Sequence, residues 1–161
     1  MVLSLCLQVP VFENYYLCLG YTVMTVYCFW FGTFSAVTVG TLGVALYCLL
    51  INGLRGMPGW LAGNIVIAAA LSLACRYTYG MRRKWLRGAI LLAVMTVSTA
   101  VGILVVKSSV EAVLYAQPFL LRGAKNVYAF VADIAVMAVS LPICERLETV
   151  IRKLFPKEIA V

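Results

Sequence analysis

Residues 52–64 read Asn-Gly-Leu-Arg-Gly-Met-Pro-Gly-Trp-Leu-Ala-Gly-Asn and separate two long apolar runs. The stretch contains Arg55, the only charged residue in positions 14–75. Its glycines and proline cannot continue a helix through lipid, because the N–H and C=O groups left open would find no partner there. The stretch therefore lies at a membrane surface or lines a wet cavity. Trp60 and Asn64 follow at i, i+4 spacing, so an indole ring and an amide project together from the next helix.

The composition predicts an integral membrane protein. Of the 161 residues, 64% are hydrophobic and 12% are charged, whereas soluble domains average roughly 25% charged residues. A soluble chain of this kind would have too little polar surface. Residues 14–54 carry no charge, and this run is about twice the roughly 20 residues that one helical crossing needs. Two crossings are therefore expected there, separated near Gly32.

The basic residues indicate membrane topology rather than a nucleic-acid partner, although the net charge is +7. Most of them flank one gap between apolar runs or lie in the C-terminal tail: Arg76, Arg82, Arg83, Lys84, Arg87, Arg146, Arg152, Lys153 and Lys157. Clusters of this kind beside hydrophobic helices follow the positive-inside rule. The remaining four would lie on the opposite side: Arg55, Lys107, Arg122 and Lys125. We therefore expect a multi-pass protein of the cell membrane with a cytoplasmic C-terminus.

The predicted fold is all-α, a single membrane domain over residues 1–161 with six transmembrane helices. They cover about residues 1–9, 17–31, 35–51, 60–75, 88–106 and 126–144, and an amphipathic tail follows over 145–157. The first helix is shortened, because Pro10 ends it after about 13 Å of a hydrocarbon core that is roughly 30 Å thick. A longer polar connection, residues 107–125, joins the fifth helix to the sixth.

The candidate substrate-binding residues lie on the three connections that this topology places outside. They are Trp60, Asn64, Lys107, Glu111, Tyr115, Arg122, Lys125 and Asn126, with Tyr15, Tyr16 and Arg55 as lids. Four cationic groups among them favour an anionic or zwitterionic ligand. Arg and Lys bind carboxylates through charge-assisted hydrogen bonds, and Trp and Tyr stack on a ring.

Two sequence features, one within this set and one outside it, have both a structural and a functional interpretation. Lys107, Glu111 and Tyr115 recur every four residues and would form one helical stripe, which is either an i, i+4 ion pair or part of a ligand site. Asp133 lies within the sixth predicted helix, where an ionised side chain costs about 2.5 to 3.5 kcal/mol. It is either one member of a structural ion pair or a substrate contact.

The sequence contains no pattern typical of an enzyme, a resident cofactor or a metal site. Its six cysteines are scattered without a Cys-x-x-Cys pair, and it has no histidine, so a zinc or haem site is not expected. The patterns Gly-x-x-x-x-Gly-Lys-Ser/Thr, His-Glu-x-x-His and Gly-x-Ser-x-Gly do not occur. We expect a binding protein that does not itself hydrolyse ATP by the P-loop route.

Small-residue and turn patterns along the chain resemble the substrate-binding S component of energy-coupling factor (ECF) transporters. The residues concerned are 9–10 (Val-Pro), 19–21 (Leu-Gly-Tyr), 30–36 (Trp-Phe-Gly-Thr-Phe-Ser-Ala) and 39–43 (Val-Gly-Thr-Leu-Gly), followed by the glycine- and proline-rich third connection. The resemblance implies a six-helix protein that captures a vitamin or related micronutrient from outside. It also implies as partners a transmembrane T component and two ATPase subunits, which supply coupling and energy.

Two other functions are compatible with the sequence. One is a proton-coupled small-molecule transporter that acts alone, with Asp133 or Glu13 as the titrating group. The other is a structural membrane subunit without a ligand. Liposome transport without ATP would distinguish the first, and the lack of a bound small molecule would distinguish the second.

Overall fold

The computed structural model describes the backbone of residues 9–12, 15–17, 20–52 and 57–154, and the side chains of residues 20–50, 57–147 and 150. The described chain opens with a short antiparallel hairpin of strands β1 (Val9–Phe12) and β2 (Tyr15–Leu17). The strand β2 packs against the long helix Phe119–Leu154. All other regular structure in the described residues is helical.

The helices form five continuous segments. The first three are α1 (Gly20–Trp30), α2 (Gly32–Tyr47) with a π-helical extension (Cys48–Asn52), and α3 (Met57–Tyr77). In the fourth, α4 (Lys84–Thr99) continues through a π-helical segment (Ala100–Lys107) into α5 (Ser108–Tyr115). The fifth is α6 (Phe119–Leu154). Gly32 turns the chain from α1 into α2 with a φ of +79°, a left-handed conformation that glycine adopts without strain.

Four helices among the described residues are long and apolar enough to cross a membrane: Gly32–Leu50, Met57–Tyr77, Lys84–Tyr115 and Phe119–Leu147. The all-α, membrane-type class predicted from the composition is thus confirmed. The number of six helices is not confirmed. The predicted helix over residues 1–9 lies outside the described residues except for Val9, which begins β1.

Helical segments that are consecutive in the chain run in alternating directions, and one end of the bundle gathers several aromatic and amide side chains. Tyr21 at the start of α1 hydrogen-bonds to Asn64 in α3, and the ring of Tyr47 at the end of α2 contacts that of Trp60. We call this end the Trp60 end. The short turn between α5 and α6 lies at the same end, because Lys107 contacts Trp60.

The opposite end, which we call the Trp85 end, carries the basic loop between α3 and α4. Arg87 of α4 lies 5.4 Å from the centroid of the Phe29 ring in α1. Glu145 of α6 approaches Gly88 of α4 at the same level. The ring of Trp85 is 70% exposed, as is typical of an aromatic anchor at a membrane interface.

The closest helix contact joins α3 to the π-helical segment through two glycines. A Cβ added to Gly63 would lie 2.7 Å from the carbonyl oxygen of Gly102, and a Cβ added to Gly102 would lie 2.8 Å from the carbonyl oxygen of Gly63. In lipid, helices associate by packing and hydrogen bonds rather than by excluding water, so small residues that let backbones meet are favoured. This contact positions Lys107, five residues beyond Gly102, beside the first turns of α3.

Two predicted segment boundaries are wrong. The expected connection over residues 107–125 is helical to Tyr115 and again from Phe119. Its polar residues are compatible with a helix, and only Ala116, in a left-handed conformation with φ of 50°, interrupts it before Pro118. The predicted end of the sixth helix at Cys144 is also absent, because residues 145–154 contain no glycine or proline and α6 continues through them. Residues 155–157 of the predicted tail lie outside the described residues.

We expect the substitution Gly63→Ala to destabilise the protein by about 1 to 3 kcal/mol, because the added methyl meets backbone that cannot move aside. The midpoint of thermal unfolding in detergent measures the effect. Gly123→Ala in α6 is the matched control, since a Cβ there meets no atom within 4 Å. Equal midpoints for the two variants would show that the glycine contact does not hold the helices together.

Candidate functional site at the Trp60 end

A chain of hydrogen bonds ties α1, α2 and α3 together at the Trp60 end. The indole Nε1 of Trp60 donates to the Tyr21 hydroxyl at 3.2 Å, and this hydroxyl donates to Oδ1 of Asn64 at 2.9 Å. Nδ2 of Asn64 donates in turn to the carbonyl oxygen of Gly40 at 3.1 Å. These bonds satisfy polar groups that would otherwise be costly inside an apolar bundle.

A cavity of about 50 Å³ lies between these three helices. It is lined by the backbone of Gly20, Gly40 and Gly43, by Tyr47, Trp60 and Asn64, and by Tyr21, Met24 and three valines. None of these lining residues is charged. At the 10 to 15 Å³ that one water needs, the cavity has room for about three to five waters.

A second polar group, which we call the Lys107 cluster, consists of Lys107, Ser108, Glu111, Arg122 and Asn126. Nζ of Lys107 donates to Oδ1 of Asn126 at 3.0 Å, while Nδ2 of Asn126 donates to Ser108 Oγ at 2.9 Å and to Glu111 Oε2 at 3.4 Å. Glu111 also pairs with Lys107 at 3.9 Å and with Arg122 at 3.8 Å. Apart from Nε of Arg122, which is buried without a hydrogen-bond partner among the described residues, the cluster is bonded to itself. Lys107 and Glu111 are 8% and 5% exposed.

The Trp60 side chain lies between the cavity and the Lys107 cluster and contacts both. Its ring forms part of the cavity lining, and Nζ of Lys107 lies 4.9 Å from the ring centroid, a cation–π contact. The Tyr47 ring meets it edge-on, with centroids 6.0 Å apart and an interplanar angle of 86°. Trp60 thus contacts both the uncharged cavity and the charged Lys107 cluster.

Asp133 is a buried acid in the middle of α6. It is 3% exposed, and its Oδ2 has no hydrogen-bond partner among the described residues. The Tyr21 hydroxyl lies within hydrogen-bonding reach of the carboxyl group, and the charge of Lys107 acts on it. Asp133 precedes Glu145, at the Trp85 end, by 12 residues, or roughly 18 Å of helix, which corresponds to the interior of a bilayer.

The structure brings most of the predicted site residues together. Trp60 and Asn64 line the cavity, and four further predicted residues belong to the cluster. Tyr115 joins them through the Arg122 guanidinium, which lies 5.1 Å from its ring centroid. Lys125 is exposed and directly precedes Asn126 in α6.

The side chains of the three predicted lid residues lie outside what the structure describes. Arg55 is not among the described residues, and Tyr15 and Tyr16 are described only by their backbone in β2. Within the described part, two cationic side chains, Lys107 and Arg122, face two acids, Glu111 and Asp133. With Lys125, three cationic and two acidic residues of the predicted site region are described, and Arg55 lies outside the described residues.

Sequence reasoning missed Tyr21, Tyr47 and Ser108. The two tyrosines lie inside apolar helices and not on the polar connections between them. Ser108 directly follows Lys107, and it enters the cluster because the widened π-helical turns change the direction in which α5 begins. No signal in the sequence marks this π-helical segment.

Comparison with known proteins gives no match to any family model, to any curated protein or to any solved structure.

We expect Lys107→Met to destabilise the protein by about 3 to 5 kcal/mol, because buried Glu111 then keeps only one cation, Arg122, among its described partners. Glu111→Gln in the same chain should recover part of that loss, with a coupling of about 1 to 3 kcal/mol in a double-mutant cycle. Thermal unfolding of the two single variants and the double variant measures it. Lys84→Met, at an exposed position, is the control and should change little; strictly additive effects would contradict the cluster.

Proposed function

We propose that this chain is a membrane-embedded solute-binding subunit that captures a vitamin-like micronutrient at the Trp60 end. The observation that carries the proposal is the convergence of buried polar and aromatic side chains from α1, α3, α5 and α6 at one end of an otherwise apolar bundle. Small-molecule sites combine apolar walls with a few convergent polar groups in this way. In this proposal the chain has the role of an ECF-type S component.

In this proposal the Trp60 end faces the outside of the cell. The basic residues of the loop between α3 and α4 lie at the other end, and the positive-inside rule assigns such an end to the cytoplasm. Uptake would then require partners, a transmembrane T component and two ATPase subunits. These would act from the cytoplasmic side on a chain that binds but does not hydrolyse ATP.

The internal bonds of the Lys107 cluster are compatible with ligand binding by exchange. A ligand that replaces one internal hydrogen bond by one of its own loses little, whereas a ligand that leaves a buried donor unpaired loses about 1 to 3 kcal/mol. The bonds of Asn126 to Ser108 and Lys107 are the ones available for such an exchange. A solute bound here would therefore need donors and acceptors that replace the hydrogen bonds of Asn126 to Ser108 and Lys107.

Mass spectrometry of small molecules released from the protein, after purification in detergent, tests the proposal. We expect a bound micronutrient, and we expect Asn64→Leu to weaken its binding about tenfold, because two hydrogen bonds at the cavity wall are lost. Ser72→Ala is the control, since it removes an interhelical bond of 2.9 Å to Thr33, away from the Trp60 end. A protein that carries no small molecule and ignores a panel of water-soluble vitamins would contradict the proposal.

A second candidate function, proton-coupled transport without partners, is favoured by one observation, the unpartnered Oδ2 of buried Asp133. A carboxyl group in the membrane interior that can exchange a proton is typical of such transporters. Tyr21 connects Asp133 to the hydrogen-bond chain of Trp60 and Asn64. Protonation there would be transmitted directly to the cavity wall.

If this second function is correct, purified protein in liposomes accumulates the copurified solute under a pH gradient without ATP. Asp133→Asn should then abolish accumulation and leave solute binding within about twofold, because the amide keeps the shape of the carboxyl group but cannot exchange its proton. Glu145→Gln, another acid of α6, is the control. Binding without any accumulation in the unmodified protein would exclude this candidate and leave the partner-dependent one.

A further inference from the structure

We infer that the loop between α3 and α4, at the Trp85 end, binds anionic phospholipid in preference to zwitterionic phospholipid. Its exposed side chains combine four cations with two aromatic rings, and we call them the basic surface: Arg76, Tyr77, Arg82, Arg83, Lys84 and Trp85. The basic surface lies at the end of the bundle opposite the proposed solute site. The inference therefore goes beyond the proposed function and does not depend on it.

The positive charge of the basic surface is not neutralised within the described part of the chain. Residues 76–87 contain five basic residues and no acidic one. Four of the five are exposed and take part in no ion pair among the described residues: Arg76, Arg82, Arg83 and Lys84. Well-solvated protein surfaces intersperse charges of both signs. An unmixed group of cations instead creates a local positive potential that attracts anions.

The basic surface lies at the level of the lipid phosphates. Both α3 and α4 belong to helices long and apolar enough to cross a membrane, and only residues 78–83 connect them. The loop also folds back on the end of α3, because the N–H of Tyr79 donates to the carbonyl oxygen of Arg76 at 3.3 Å. A connection this short and compact cannot carry its cations far from the membrane surface.

The aromatic rings of the basic surface favour a lipid over a soluble anion. Tyr77 and Trp85 are 83% and 70% exposed, one at the end of α3 and the other near the start of α4. Tyr and Trp at such positions lie at the boundary between head groups and acyl chains. A phospholipid therefore contacts the rings, while its phosphate accepts paired hydrogen bonds from an arginine. A soluble phosphate offers only the second contact.

Native mass spectrometry of the protein in detergent, titrated with phosphatidylglycerol or phosphatidylcholine, tests the inference. With the same acyl chains, the two lipids share a phosphodiester and differ in net charge. Each Lys or Arg near an anionic lipid surface strengthens attraction about fivefold. We expect phosphatidylglycerol to bind at least about fivefold more tightly. It should also raise the midpoint of thermal unfolding more than phosphatidylcholine does, because a ligand of the folded state stabilises that state.

The double substitution Arg82→Gln and Arg83→Gln removes two exposed cations from the basic surface. We expect it to reduce the preference for phosphatidylglycerol to within about twofold. Arg82→Lys with Arg83→Lys is the matched control. It keeps both charges and loses only the forked geometry of the guanidinium group, so the preference should stay above about threefold. Unfolding midpoints in lipid-free detergent verify that both variants are folded.

Three results would overturn the inference. The first is equal binding of the two lipids by the unmodified protein. The second is a preference that persists in the double glutamine variant, which would locate the lipid elsewhere. The third is displacement of phosphatidylglycerol by glycerol 3-phosphate or inorganic phosphate, which would assign the basic surface to a soluble anion. A protein that carries no micronutrient would contradict the proposed function and leave the lipid preference unchanged.

Discussion

The amide of Asn126 is the interaction on which the Trp60 end depends. A side chain that both donates and accepts can satisfy a cation and an acid at once, and here it accepts from Lys107 and donates to Ser108 and Glu111. In a medium of low dielectric constant, each of these groups alone would be costly to bury. Together they allow α5 and α6, joined only by a short turn, to pack charged side chains inward rather than toward lipid.

Trp60 connects the Lys107 cluster to the rest of the bundle. Lys107 reaches its ring from one group of helices, and Tyr21 and Tyr47 reach it from another. A change in either compartment therefore alters the contacts of the same side chain. If a solute binds in the cavity and Asp133 exchanges a proton, as the second candidate function requires, this shared contact would link the two events.

The sequence predicts the membrane class and the main polar residues because both follow from local patterns. A long uncharged run indicates a membrane segment whatever the rest of the chain does. The four-residue spacing of Lys107, Glu111 and Tyr115 likewise places them on one helical face. The boundaries around residues 107–125 could not be predicted, because polar residues are equally compatible with a loop and with a helix that extends beyond the bilayer. The inward direction of Tyr21 and the glycine contact between Gly63 and Gly102 arise from tertiary packing, which no short stretch of sequence encodes.

The π-helical segment (Ala100–Lys107) has a consequence for how this chain tolerates changes in length. It accommodates more residues per turn than an α-helix, and so it fixes the rotation of α5 relative to α4. Loss of one residue within it would let these turns return to α-helical pitch, so that the deletion is largely absorbed and the side chains that follow stay near their present direction. Loss of one residue from a regular α-helix such as α5 would instead turn every following side chain by about 100°. The π-helical segment therefore determines the rotation of α5, which carries part of the Lys107 cluster, relative to α4, which packs in the bundle.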